Sequence, residues 1–162
     1  MKMNIIVNTM IWFLIGAGLL NIIVLVVFRT GIVYSNRKQD GTLKKKIPIT
    51  GLLSLVIMLV LILIFFLAFD YFTFRNIGQI KYIWILLMNL LLLLLLDFYD
   101  AFIIDILVLT KWRPSFLKLS NELTRDSMKL HVKKQFTVGW IIKLPLLLIS
   151  SVLFYFLYQW VL

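Results

Sequence analysis

Three aspartates, Asp97, Asp100 and Asp105, stand in a stretch otherwise dominated by leucine, isoleucine and aromatic residues, YIWILLMNLLLLLLLDFYDAFIIDILVLTKW, with Asn89 upstream. Carboxyl groups in such surroundings can pair with a cation, share protons or ligate a hard metal ion through oxygen. One basic residue has a comparable setting, Lys143 in the last apolar run. Asp100 lies eleven and Asp105 six residues before Lys111, and Lys143 lies nine after Lys134. Those offsets bring the three to similar depth on antiparallel neighbouring helices, so Lys143 is expected to pair with Asp100 or Asp105. Asp97, sixteen residues after Lys81 and fourteen before Lys111, is the deepest acid and has no candidate cation at its own level. With one acid paired, desolvation and mutual repulsion disfavour ionising both of the others.

At about 100° per residue, Asn89, Asp100, Asp97 and Asp105 fall within an arc of about 160°, with Leu92, Tyr99, Ile103 and Ile106 on the opposite side. The acids are expected to face a helical bundle and the opposite side to face lipid. Such a set serves one of two purposes. It can glue helices to one another or to a partner subunit, helped by Asn21, Ser54, Asn89 and Ser150, or it can relay protons or cations. The first is favoured, because one lysine already balances part of the charge and four helices are few to enclose a pathway.

A metal site is disfavoured, since Asp105 is turned about 80° from Asp97 and no second acidic run completes a cage. The single histidine, His131, excludes haem held by two histidines, and the absence of cysteine excludes thiolate ligands and disulfides. His131 stands among Lys129, Lys133 and Lys134, with Asp126 and Ser127 nearby, and reads as a solvated loop histidine. Phosphate-binding glycine loops, paired-histidine zinc motifs and nucleophile elbows are all missing. No catalytic, cofactor-binding or metal-ligating residue is assigned, and neither an enzyme nor a cofactor is expected. The intramembrane polar cluster consists of Asp97, Asp100, Asp105, Lys143 and Asn89.

The elements that must hold this cluster follow from composition. Of 162 residues, 62% are hydrophobic and 15% charged, and the mean hydropathy is +1.02, against roughly 45 to 50% apolar and about 25% charged in a soluble domain. Apolar runs occupy residues 5–28, 49–69, 82–110 and 137–162, each long enough for the roughly 20 helical residues that cross a bilayer. A single domain over residues 1–162 is expected, an all-α integral membrane protein folded as an antiparallel four-helix transmembrane bundle. The first run is too long for a signal sequence, and Arg29 follows Phe28 directly with no cleavage site between. Gly16, Ala17 and Gly18 form a small-residue patch for close helix packing.

Thirteen Lys and Arg residues flank or occupy the loops 29–48 and 111–136, against three, Lys2, Arg75 and Lys81, on the other side. The positive-inside rule makes these two loops cytoplasmic, with both termini outside, and the plasma membrane, with its anionic cytoplasmic leaflet, is the expected location. Trp84 and Trp160 then mark the outer boundary and Trp112 and Trp140 the inner one. Pro48 starts the second helix, Pro114 ends the third, and Ser120 is a candidate N-cap. Residues 115–136 hold a plausible helical core around Asn121 to Lys134, but its amphipathic pattern is poor and the segment is expected to be a solvated basic loop rather than a helix on the membrane surface. The net charge of +10 lies in these loops rather than on a folded face, which excludes nucleic acid as a partner. The favoured function is an accessory or interaction subunit, as a homo-oligomer or with a larger membrane protein; the alternative is a proton- or cation-coupled transporter acting as an oligomer.

Overall fold

Long runs of leucine, isoleucine and phenylalanine satisfy their backbone most readily within themselves, and each of the four folds as a helix in the computed structural model, which describes residues 5–29, 49–75, 80–117 and 125–161. Helix α1 spans Ile5–Arg29, α2 Ile49–Phe74, α3 Tyr82–Phe98, α4 Arg125–Gln135 and α5 Val138–Val161. From Tyr99 to Trp112, α3 continues in π-helical geometry, and a 3-10 turn follows at Ser115–Leu117. The chain is all-α, with four long helical rods and no strand among the described residues.

Side-chain partners fix the directions. Asn8, early in α1, bonds to Thr73, late in α2, and Asn89, early in α3, bonds to Asp70, also late in α2. Asn89 meets Ser151 whereas Asp97 meets Lys143, so α3 and α5 are antiparallel. Gly16 faces Leu96, and Leu20 and Val24 pack near Ile104 and Leu109, so α1 and α3 run together. The third rod is the hub: α3 packs against α1, α2 and α5, while its π segment packs against α1 and α4.

The core between these rods consists of Phe66, Phe69, Leu92, Leu93 and Leu147, with Trp12 set edge-on to Phe65 and Phe69. Leu92 is 0% exposed, not turned to lipid as its place on the wheel predicts, because helices cover α3 on several sides. Tyr99, placed on the same lipid side, instead accepts a hydrogen bond from Asn21 at 2.7 Å and packs against Phe13; Ile103 is exposed as expected. The small-residue patch divides. A Cβ on Gly16 would come within 2.8 Å of Leu96 and 3.0 Å of Phe65, and Ala17 is buried, but Gly18 meets nothing.

Among the described residues two stretches are long and apolar enough to cross a bilayer, Ile5–Val26 and Lys129–Trp160. The third rod changes geometry at Tyr99 and carries three acids. One expected boundary moves, α2 running on to Phe74 rather than stopping at Phe69, and residues 125–135, inside the segment where a helical core was plausible but a solvated loop expected, are helical. Pro114 does follow the end of the third rod, where Arg113 takes a left-handed conformation with φ 46° and donates its amide to the Val108 carbonyl. Pro48 and Ser120 lie outside the described residues, as does most of loop 29–48.

Candidate functional site

The polar side chains form two groups on either side of the Leu92–Phe69–Leu147 core. Along α3 the order is Asn89, then Leu92 and Leu93, then Asp97; along α5 it is Ser151, Leu147, Lys143. Hydrocarbon therefore separates the groups, and Asn89 does not join the aspartates with which its spacing had grouped it.

The first group is closed. Asp70, Asn89, Ser150 and Ser151 are all 0% exposed. Asn89 Nδ2 donates to Asp70 Oδ2 and to Ser151 Oγ, each at 2.9 Å, and so ties α2, α3 and α5 at one level. One turn along α2, Thr73 accepts from Asn8 and returns its own hydroxyl to the Phe69 carbonyl. Ser150 bonds only to the Leu147 carbonyl one turn back, so the interhelical partner is its neighbour Ser151.

The second group is a ladder of three rungs. Lys143 Nζ lies 2.5 Å from Asp97 Oδ1, Gln135 Nε2 donates to Asp100 Oδ2 at 2.9 Å, and His131 Nε2 stands 3.7 Å from Asp105 Oδ2. The expected partner of Lys143 was Asp100 or Asp105, and the structure gives Asp97 instead. The cause is geometric. The expected pairing assumed an α-helix through residue 110 and a loop where α4 lies. A π-helix bonds each amide five residues back, so residues five apart share a row, and Asp100 and Asp105 align. His131 and Gln135, four apart, are aligned in the same way on α4. One π turn thus faces one α turn, and α4 partners the two outer acids while Lys143 is left for Asp97.

Burial differs along the ladder. The three acids are buried or half-buried, and of their partners Lys143 has 29% of its side chain exposed and His131 62%. An open cleft of about 580 Å³ runs beside them, lined by Asp100, His131, Lys134, Gln135, Gly139 and Lys143. Pro145, inside α5, has no amide proton to give the Ile141 carbonyl, which loosens the turn that carries Lys143. The chain matches no family model, no curated protein and no solved structure.

Chemically, the ladder can hold α3 against the α4–α5 arm through charged and polar contacts, and the cleft gives water access to its rungs. Sequence reasoning missed Asp70, because the apolar run was cut just before it. The signal was present: aromatic residues continue through Phe74, and the first charge beyond Asp70 is Arg75. Ser151 and Gln135 carried no signal beyond polarity. His131 is exposed, as a solvated histidine should be, yet it stands beside an acid of another rod, Asp105, at 3.7 Å.

Proposed function

We propose that this chain is a four-span integral membrane protein with an assembly role, an accessory or interaction subunit whose polar set locks its own helices into a frame. The observation that carries the reading is that each aspartate of the third rod has a polar partner in the α4–α5 arm of the same chain. Buried acids with polar partners in their own chain, one of them a lysine, do not require a partner subunit to supply those contacts. Contacts with another copy or a larger membrane protein are then left to the apolar outer faces. Only 17% and 22% of the most apolar windows of the two candidate spans are buried, which favours lipid around them over the interior of a soluble protein. The charge bias of the basic loops supports an orientation with both termini outside the cytoplasm, and the cell membrane is the membrane proposed.

Single cysteines introduced at Gln39 and Gln79 in this cysteine-free chain test the topology: an impermeant reagent should label only position 79 on intact cells. Native mass spectrometry from lipid nanodiscs tests the role. A second copy or a defined partner should accompany the chain, and a lone monomer from every lipid composition would end the interaction reading.

The open cleft beside Asp100 and Lys143 favours a second reading, proton or cation coupling. It requires pH-driven flux in proteoliposomes that disappears in a well-assembled Asp97→Asn variant.

A further inference from the structure

The closed group contains a carboxyl that no charged group balances among the described residues. Asp70 is fully buried, and its partner is the neutral amide of Asn89. Asp70 Oδ1 and Asn89 Oδ1 are buried with no hydrogen-bond partner among the described residues. Around Asp70, α3 contributes Asn89, α5 contributes Ser151, and α1 reaches the next turn with Asn8; none of these carries a charge. The nearest cation on its own helix, Arg75, lies over the rings of Tyr71 and Phe72, 5.8 and 5.0 Å from their centres. Lys143 is at Asp97, beyond the Leu92–Phe69–Leu147 core. An ionised carboxylate in that position would be a bare charge in a dry interior, and two orphaned oxygens beside it are short of donors or of a cation.

We propose that Asp70, with Asn89 and Ser151, is a binding site for one positive charge, a proton or a sodium ion. A single charge is the requirement because the site has a single acid, which leaves a divalent ion under-compensated. The site takes its ligand through oxygens on hand. A proton on Asp70 supplies the missing donor, and half a turn of the Asn89 amide then lets Oδ1 accept from both Asp70 and Ser151. A sodium ion would use the unpartnered Asp70 Oδ1 and Asn89 Oδ1. Thr73 and Asn8 continue the polar line one turn toward the end of α2. The inference does not depend on the ladder or on its role.

Infrared difference spectroscopy on the whole protein in lipid, wild type minus Asp70→Asn, tests it, with sodium chloride compared against choline chloride at equal ionic strength. If the ligand is a proton, a carboxyl C=O band with the amplitude of one group is present at neutral pH in both salts and vanishes in Asp70→Asn. If it is sodium, the wild type gains thermal stability when sodium replaces choline, with no such gain in Asp70→Asn. Should Asp70→Asn fail to fold, Asp70→Glu replaces it, and the band must shift or the sodium response must change. A wild type that lacks the carboxyl band of Asp70 in both salts and is indifferent to sodium overturns the site.

Discussion

The closed group and the open ladder solve the same problem in different ways. Both put carboxyl groups among apolar helices, yet Asp70 is met by the neutral amide of Asn89 on α3, which also reaches Ser151 on α5, whereas Asp97 is met by a lysine. The difference follows access to water. Lys143 lies beside the cleft, so its ammonium keeps part of its hydration while it pairs, and the desolvation cost falls mainly on Asp97. No lysine could reach Asp70 so cheaply, because Asp70 is fully buried. The charged partner is used where the chain opens, and amide and hydroxyl where it closes.

The comparison predicts unequal sensitivities. The largest belongs to Lys143→Met, which strands Asp97 without its cation and should cost about 3 kcal/mol, the low end for breaking a buried pair because the lysine is partly hydrated. Asp97→Leu in the same chain should recover much of that loss. A double-mutant cycle read by unfolding in mixed micelles checks it, and simple additivity would break the pairing.

Asn89→Ala comes next. It removes both donors of the closed group and leaves Asp70 and Ser151 without them, at a cost of about 2 kcal/mol. Unlike Lys143→Met, it should not be rescued by a leucine at Asp97, since the core separates the two groups. Coupling between Asn89 and Asp97 beyond about 0.5 kcal/mol would mean that the clusters act as one.

These two groups also mark how far the sequence could be read. Four helical runs and the importance of Asp97, Asp100, Asp105 and Lys143 are visible from apolar length and from charge set in hydrocarbon. The pairing is not, because it depends on π geometry after Phe98 and on helix α4, and neither leaves a periodic trace: the run from Leu90 to Leu96 has no pattern, and residues 125–135 have little apolar face. Leu92 shows the same limit from the other side. A wheel ranks faces by polarity, but a hub helix is covered on its leucine faces too. Asp70 was lost to a boundary drawn where charge first appears, although burial of that charge is what distinguishes it.

A smaller effect sharpens the packing between the groups. Gly16→Ala would press a methyl to 2.8 Å from Leu96 Cδ2, a flexible end that can move at a cost of about 1 kcal/mol, while Gly18→Ala meets nothing and should be neutral or slightly stabilising. The difference between the two variants, measured in the same micelles, removes the shared gain in helix propensity. Equal stability would place α1 farther from α3 than the structure has it.

The smallest effect is expected at the open end of the ladder, and it decides whether the rungs are graded by exposure. His131 has 62% of its side chain in water and stands 3.7 Å from Asp105, beyond a good hydrogen bond. An exposed pair of this kind gains little, since water competes for both partners and the side chain loses freedom when it is held. His131→Ala should therefore change stability by less than about 0.5 kcal/mol, with Gln135→Ala between it and Lys143→Met because its 2.9 Å bond to Asp100 is half-buried. The order Lys143, Gln135, His131 in one unfolding series is the test. A loss at His131 as large as that at Lys143 would mean that Asp105, not Asp97, anchors the arm, and that exposure does not set the strength of the rungs.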